Sequence, residues 1–434
     1  MGVISSESDA PRPAVPSSEC EVPSLKKRRV GAARTYFTEK GCCLEDLQVL
    51  ASKVVDVDEL QFASGVQKKV VLYNCKALEA SLACESSKGE LMAEWAWVLS
   101  EGPGVFVLQD AFDNHAVIDA CSAAFAQIVA EERAVKGSGG GDHFAKAGAN
   151  DRIWNAMEKL CVRNPAIFAE YYGNQWIAAA AEAWLGPMYQ VTSQTNTIRP
   201  GGKAQNMHRD YHLGFQNMDT VAKFPLHVQA GISPLLTLQG AVAHVDMPIE
   251  SGTTKLLPFS HQYPQGYLAW KRKDFVTFFE DNFVQLSLKK GDLLFFNPAL
   301  FHAGGENVTG SSGTGGIDRV ANLLQISSAF GRAMETLDRS RMSKALYSVL
   351  LNLRAQSSNE DGQLRAEAER LEDCAIAACA EGYQFPTNLD LDVPLGAVAP
   401  LSQAALFKQS LEKGLQPEDF CQRLDLQASL KRSV

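Results

Sequence analysis

The sequence predicts a mainly β core, a β-sandwich or jelly roll, with helical segments on both sides. From residue 188 to residue 327, short apolar stretches alternate with turns that contain Gly and Pro. Amphipathic helical patterns precede and follow this region. Apolar residues make up 46% of the 434 residues, which is enough for a large buried core.

The N-terminal region is predicted to be a tail followed by mixed secondary structure. Residues 1–35 are rich in Ser, Pro, Glu and Lys, and such a composition predicts a disordered tail. Residues 36–95 are predicted to form a mixed extension. The elements predicted before the β core and at its start are a helix over Leu44–Val54, a strand over Lys69–Tyr73, a helix over Leu91–Leu99, a strand over Val105–Leu108 and a helix over Asn114–Arg133. A glycine run, 137–141, predicts a flexible loop after the last of these.

The β core is predicted to be a domain over residues 96–333. Its further strand candidates are Val191–Ile198, Leu235–Val245, Val284–Leu288, Leu293–Phe296 and Val320–Ser327. Residues 334–434 are predicted to form a C-terminal helical region, in which Met334–Leu353 and Gly362–Glu381 are amphipathic.

Charge and composition restrict the class of protein. The net charge of −9 argues against a general nucleic-acid binder, and the sequence lacks the ~18-residue apolar run that spans a bilayer. Ten scattered cysteines without a C-x-x-C pair predict reduced thiols and an intracellular location, most simply the cytoplasm. Lys26–Arg29 resembles a nuclear import patch, with a solvated basic cluster as the alternative. The expected partner is a small-molecule substrate, with no nucleic acid and no membrane; the sequence does not predict an oligomeric state.

The triplet His208-Arg209-Asp210 and the later His302 are the strongest chemical signal in the chain. On an extended strand, residues i and i+2 point to the same face, so His208 and Asp210 would lie side by side. A third ligand from another strand would complete two histidines and one carboxylate. This set suits non-haem Fe(II) and leaves coordination positions open.

Two other classes of function remain open at this point. His208, Asp210 and His212 form an H-x-D-x-H run that could place three ligands of a zinc hydrolase on one segment. A non-catalytic jelly-roll binding protein is the second alternative. Four further histidines are predicted to be structural: His212, His227, His244 and His261.

Four blocks in a fixed order resemble the phytanoyl-CoA dioxygenase family of Fe(II)/2-oxoglutarate-dependent oxygenases. They are Glu101–Leu108, Met207–His212, Asp246–His261 and Lys290–Phe296, and the last of them leads into His302. The resemblance covers the region from 100 to 330. It implies a double-stranded β-helix of the jelly-roll, cupin-like type, in which His208, Asp210 and His302 hold Fe(II).

The resemblance also implies a reaction and its cosubstrates. 2-Oxoglutarate and O2 would be consumed with release of succinate and CO2, and ascorbate is a candidate reductant. The expected reaction is hydroxylation of an unactivated C–H bond in a small organic substrate, with desaturation or ring formation as alternatives. Halogenation is disfavoured, because Asp210 occupies the position that a halide would need.

An arginine after His302 is expected to bind the distal carboxylate of 2-oxoglutarate, and Arg319 is the candidate. The interval of 17 residues is longer than the family commonly shows, and Thr309–Gly316 is predicted to be an inserted loop. If it is not an insertion, Arg332 is the alternative. Gln194 and Asn196 alternate to one face of a predicted strand and are candidates for contact with the cosubstrate or substrate.

Overall fold

The computed structural model of the chain describes residues 35–136, 150–310, 315–357, 362–394 and 396–432. Three sequence features lie outside or largely outside these ranges: the predicted tail with its basic cluster Lys26–Arg29, the glycine run 137–141 and positions 311–314 of the predicted insertion.

Helices precede, interrupt and follow the strands of the β core. The α-helices of the described residues are α1 (Leu44–Ser52), α2 (Cys75–Ala83), α3 (Glu85–Ser100), α4 (His115–Lys136), α5 (Ala156–Arg163), α6 (Pro165–Tyr172), α7 (Gln175–Leu185), α8 (Met218–Val221), α9 (Ser233–Leu235), α10 (Gly266–Ala269), α11 (Lys273–Asn282), α12 (Arg339–Ser357), α13 (Gly362–Cys379), α14 (Gln403–Glu412) and α15 (Pro417–Leu430). The strands are β1 (Gly65–Gln67), β2 (Val70–Asn74), β3 (Val105–Gln109), β4 (Asn150–Ile153), β5 (Gln190–Ile198), β6 (Thr237–Ala243), β7 (Lys255–Leu256), β8 (Leu293–Phe296), β9 (His302–Ala303) and β10 (Arg319–Ser327).

Eight strands form one mixed sheet in the order β1-β2-β3-β8-β6-β10-β5-β4. Neighbours are antiparallel except β2 and β3, which are parallel. Strands β7 and β9 form a second, two-stranded sheet. Isolated bridges continue it, joining His208 to His302 and Leu256 to Val284. The chain therefore has a large mixed sheet with helices, and a small sheet that carries His302.

Alternate residues of the central strands pack on opposite faces of the large sheet. In β3, Phe106 and Leu108 join the core cluster that contains the helices. Val105 and Val107 join a second cluster, which includes Leu256 of the small sheet. Because both faces are covered, the strand is apolar throughout instead of alternating with polar residues.

The helical face of the sheet has one continuous core. Its buried residues run from Val71 in β2 to Leu424 in α15, so helices before and after the strands share it. Helix α12 packs on α5 and α6, and α13 packs on α6 and α7. The C-terminal helices are thus attached to the face of the sheet that carries the main apolar core.

Helices are more extensive than the strand pattern predicts. Helices α5, α6 and α7 lie within the region predicted to be mainly β, and β4 precedes them. Helix α3 begins at Glu85 rather than at the predicted Leu91. The apolar pattern indicates only the later part of the helix, because the first turns are polar and exposed and the buried residues start at Leu91. The predicted strand Val284–Leu288 pairs only through bridges at its two ends.

Other predicted elements agree closely with the structure. Strand β10 begins one residue before the prediction, and α13 begins at the predicted Gly362. Helix α12 begins at Arg339 instead of Met334. In the segment before the helix, the Glu335 carboxylate accepts a hydrogen bond from the Asn155 backbone N–H at 2.7 Å. Among the described residues, no helix combines the length and apolar character needed to cross a bilayer.

Arg339 joins the C-terminal helices to the sheet. Its guanidinium donates to the Ala378 and Cys379 carbonyls at 3.1 Å, at the end of α13, and to the Val191 carbonyl in β5 at 3.0 Å. A cation at this position satisfies carbonyls that lack a partner within the helix.

We expect Arg339→Met to lower the free energy of unfolding by about 1–3 kcal/mol, because it leaves half-buried carbonyls without a donor. Urea denaturation of the variant and the parent chain measures the difference. An unchanged midpoint would show that the three hydrogen bonds contribute nothing net to stability.

Candidate metal centre

The fold brings His208, Asp210 and His302 together. One donor atom from each side chain lies within 4.8 Å of the donor atoms of the other two. The His302 Nε2 atom is 3.4 Å from Asp210 Oδ2, and the His208 Nε2 atom is 3.8 Å from Asp210 Oδ1. This spacing would allow one metal ion to contact all three.

Backbone pairing holds the three residues in place. The His208 N–H donates to the His302 carbonyl at 3.0 Å, and the His302 N–H donates back at 3.1 Å. Two residues on, the Asp210 N–H donates to the Pro298 carbonyl at 3.0 Å. The side chains of His208 and Asp210 therefore meet on one face, as the H-x-D spacing predicts, although only His208 forms a bridge of the sheet type.

The chain turns sharply after Asp210. Tyr211 and His212 have positive φ values of 61° and 43°. His212 points away from the cluster, and its Nε2 lies 3.2 Å from Thr237 Oγ1. The H-x-D-x-H zinc hydrolase therefore loses its third ligand, since His212 does not join His208 and Asp210.

Both histidines have their Nε2 atoms free for a metal. The Nδ1 atom of His208 donates to the Asn206 carbonyl, and that of His302 donates to the Leu300 carbonyl, each at 2.8 Å. Because a carbonyl can only accept, the proton must sit on Nδ1, and the lone pair is left on Nε2. Burial, followed by the charge of the neighbouring His302 ring, lowers the pKa of His208 and favours this neutral form.

The Asp210 carboxylate is held by its neighbours. Gln239 Nε2 donates to Asp210 Oδ2 at 2.5 Å, and Tyr267 donates its hydroxyl to the Asp210 carbonyl at 3.2 Å. Burial alone would raise the pKa of Asp210, but its contacts with His302 and His208 and the hydrogen bond from Gln239 outweigh it. The pKa is held well below its usual range, so the group is an anion.

The three residues line a pocket of about 160 Å³. Its other polar lining includes Arg152, Asn196, Gln205, Thr254, Arg319 and Gln325. The apolar lining includes Trp154, Phe215, Phe296 and Met334. A metal at the cluster would therefore face a cavity with both polar and apolar lining.

Arg319 lies in the same pocket, as the first residue of β10 and opposite Ile198 in β5. Burial lowers the pKa of Arg319 to about 10, so it remains a cation at neutral pH. Among the described residues, nothing forms an ion pair or hydrogen bond with its guanidinium. A half-buried cation of this kind provides a site for an anion.

The other candidates for cosubstrate contact occupy different positions. Asn196 lines the pocket, and its buried Oδ1 has no hydrogen-bond partner. Gln194 points to the same face of β5, but it is not among the lining residues; it accepts a hydrogen bond from Arg152 at 3.0 Å. Arg332 is exposed and lies after β10, away from the lining residues that the structure describes.

Several pocket residues were not predicted from the sequence: Arg152, Gln205, Gln239 and Thr254. For one of them a signal was present. Gln239 is the only long polar side chain in the apolar strand β6, whose residues are all buried. A polar residue in a strand that is covered on both faces must find a partner, and here the partner is Asp210.

His244 and His261 have structural contacts. His244 lies between the Ser122 hydroxyl and the Tyr171 hydroxyl, at 2.8 and 2.7 Å. His261 Nε2 donates to the Ser100 carbonyl at 3.0 Å. Burial lowers the pKa of His244 and of His261 to about 3, so both rings are neutral.

Comparison with known families supports the resemblance seen in the sequence. Residues 100–314 match the family described as phytanoyl-CoA dioxygenase (PhyH). This part of the chain belongs to the phytanoyl-CoA dioxygenase family. The matched range contains His208, Asp210 and His302, and Arg319 follows it.

Two curated proteins are similar to part of this chain. The dioxygenase trt7 of Aspergillus terreus (strain NIH 2624 / FGSC A1156) is 29% identical over 143 residues, which are 33% of this chain and 40% of that protein. The iron/alpha-ketoglutarate-dependent dioxygenase ausU of Aspergillus calidoustus is 32% identical over 124 residues, which are 28% of this chain and 35% of that protein. The chain thus spans less than half the length of either relative.

Similar solved structures include two proteins, the first of which is described as a non-haem enzyme. The alpha ketoglutarate dependent epimerase SnoN from nogalamycin biosynthesis has a TM-score of 0.37 at 17% identity, with 57% of this chain and 85% of that chain covered. EctD from S. alaskensis, solved with 2-oxoglutarate and 5-hydroxyectoine, has a TM-score of 0.39 at 17% identity, with 56% and 77% covered.

We expect Gln239→Leu to weaken divalent-metal binding about 10-fold or more, because outer partners of a ligand typically contribute 10- to 100-fold in affinity. Calorimetric titration of the metal-free chain measures this. Gln325→Leu is the matched control, since Gln325 lies directly opposite Gln239 on β10 and lines the same pocket. Equal affinities for both variants would remove Gln239 from the metal site.

Proposed function

We propose that the chain is an Fe(II)- and 2-oxoglutarate-dependent dioxygenase that oxidises a C–H bond of a small organic molecule. The observation that carries the proposal is the placement of two histidines and one carboxylate in the same pocket as the guanidinium of Arg319, which has no partner among the described residues. The first group fits a metal ion, and the second fits an organic anion. The family match supports the same combination.

The three donors fit Fe(II). Two imidazole nitrogens and one carboxylate are the ligand set of non-haem Fe(II) oxygenases, and they leave further coordination positions open. His208 and His302 present Nε2 to the common point, and Asp210 adds a negative charge that offsets the charge of the ion. The name of the relative ausU includes iron and alpha-ketoglutarate, which agrees with this assignment.

The pocket also fits the dianion 2-oxoglutarate. We assign its distal carboxylate to Arg319, whose guanidinium can form two parallel hydrogen bonds with a carboxylate. The unpartnered Asn196 Oδ1 and the amide of Gln194 are further candidates for contact with cosubstrate or substrate, Gln194 through Arg152. O2 is the second cosubstrate, and ascorbate is the proposed reductant.

Bound Fe(II) supplies the redox chemistry by which O2, 2-oxoglutarate and a substrate C–H bond give succinate, CO2 and an oxidised product. The protein's own contribution is to orient the reactants and to keep Asp210 ionised. The apolar lining, with Trp154 and Phe215 partly exposed, would accept the hydrocarbon surface of a substrate. Hydroxylation is the proposed outcome.

We further propose that the two sheets are the two halves of a double-stranded β-helix over residues 96–333. The bridge between His208 and His302, and the bridges at Val284 and Leu288, support this assignment because they extend the small sheet beside the large one. The 36–95 extension and the 334–434 helices would then flank the oxygenase domain.

We expect His302→Ala to abolish 2-oxoglutarate-dependent formation of succinate while the protein stays folded. Anaerobic addition of Fe(II) and then 2-oxoglutarate to the metal-free parent chain should give a weak visible charge-transfer band, and the variant should lack it. His212→Ala is the control, because His212 contacts Thr237 and not the cluster. Normal turnover by a well-folded His302→Ala chain contradicts the proposal. No band in the parent chain would favour a non-catalytic binding protein.

We expect Arg319→Ala to raise the dissociation constant of 2-oxoglutarate by about 100-fold, because truncating one partner of a desolvated charge pair typically costs 2–5 kcal/mol. Iron affinity should be unchanged. The charge-transfer band, followed as 2-oxoglutarate is added, measures the constant, and Arg332→Ala is the control. A normal constant in Arg319→Ala with a raised one in Arg332→Ala would move the role to Arg332.

A further inference from the structure

Arg209, between the two proposed ligands His208 and Asp210, points away from the pocket and is 1% exposed. Its guanidinium donates to the backbone carbonyls of Ser260, at 2.5 Å, and Tyr263, at 3.0 Å. No acidic side chain among the described residues forms an ion pair with it, and its Nε has no hydrogen-bond partner. A desolvated guanidinium without a carboxylate is costly to bury, so its presence calls for a reason other than stability.

The side chain of Arg209 contacts two aromatic rings, one next to His302 in the chain and one hydrogen-bonded to Asp210. The guanidinium lies 4.6 Å from the centre of the Phe301 ring, and Phe301 directly precedes His302. It lies 5.3 Å from the ring of Tyr267, whose hydroxyl donates to the Asp210 carbonyl. Phe301 lies on the segment that carries His302, and Tyr267, in α10, contacts Asp210; Arg209 contacts both rings.

Ser260 connects the Arg209 side chain with the segment that carries His302. Its carbonyl accepts from Arg209, and its hydroxyl accepts from the Phe301 N–H at 2.8 Å. The loop that contains Ser260 is therefore attached to the H-x-D segment on one side and to the strand of His302 on the other.

The backbone leaves room for this side chain. A Cβ atom on Gly266 would lie 1.8 Å from Arg209 Cζ and 2.1 Å from both terminal nitrogens. A Cβ atom on Gly214 would lie 2.1 Å from the Arg209 carbonyl oxygen. Gly266 thus leaves space for the guanidinium of Arg209, and Gly214 leaves space for its backbone carbonyl.

We propose that Arg209 is a positioning residue that fixes the relative placement of His208, Asp210 and His302. It acts through Phe301, Ser260 and Tyr267 and does not touch the metal or the substrate. The proposal rests on the proposed iron site, and it adds that the residue between the two ligands of the H-x-D segment determines how well the third ligand meets them.

The test is anaerobic calorimetric titration of metal-free variants of the full chain with Fe(II) alone, together with thermal unfolding. We expect Arg209→Met to weaken Fe(II) binding about 10- to 100-fold, the range typical of outer partners of metal ligands. Arg209→Lys keeps the charge and one donor and should recover part of the affinity. Arg339→Met is the matched control, because that guanidinium also binds only backbone carbonyls but lies between α13 and β5. It should lose stability and keep Fe(II) affinity.

Gly266→Ala gives an independent variant in which residue 209 is unchanged. The added methyl group must displace the guanidinium, so Fe(II) affinity should fall here as well. If Arg209→Met does not fold, Gly266→Ala and Arg209→Lys decide the question. Unchanged Fe(II) affinity in folded Arg209→Met, or in folded Gly266→Ala, overturns the positioning role. If the parent chain itself binds no Fe(II), the proposed function fails and this proposal fails with it.

Discussion

The reciprocal hydrogen bonds between the backbones of His208 and His302 are the constraint on which the site depends. They join two segments that are 94 positions apart in the chain, and they set both imidazoles at one end of the small sheet. Once this bridge forms, Asp210 is placed by the period of two along an extended chain. The left-handed conformations of Tyr211 and His212 then direct the chain away, so the cluster keeps three members.

Charge around the cluster is arranged in two parts. On the pocket side, Arg319 has no acidic partner among the described residues and is available to an anion that enters. On the opposite side, Arg209 is enclosed by carbonyls and aromatic rings and is not accessible to any ligand. Asp210 is the anion of the cluster, and Gln239 orients it without adding charge. Inside the pocket, Asp210 supplies negative charge for a metal ion, and Arg319 supplies positive charge for an anion.

The sequence was most informative where local rules apply. The period of two placed His208 beside Asp210, and alternating or fully apolar stretches located β3, β5, β8 and β10 within a residue or two. The identity of the third ligand required the family resemblance, because nothing local connects His302 to the H-x-D segment. The position of Arg319 illustrates the same limit of local rules. Only the fold shows that this residue, at the start of β10, lines the pocket.

Other features depended on tertiary context that a pattern does not contain. Helices α5 to α7 lie among predicted strands, and their buried residues complete a core that α12 to α15 also share. Arg152 and Gln205 reach the pocket from β4 and from the segment before His208, which have no common sequence signal. The role inferred for Arg209 could not be seen either, because a charged residue between two ligands gives no indication of whether it points to solvent or to a core.

Contacts on the face of the large sheet opposite the pocket determine which side chains of β10 line the pocket. On that face, Asn322 donates to the hydroxyls of Tyr171 and Tyr172 at 3.2 and 3.0 Å, and Tyr172 shares a hydrogen bond with Ser193. A shift of β10 by one residue would place Asn322 in the pocket and turn Arg319 toward the helices. It would also remove the hydrogen bonds that Asn322 donates to the two buried hydroxyls, which costs free energy. The helical layer therefore specifies the register of β10, and through that register it places the cation that the proposed cosubstrate requires.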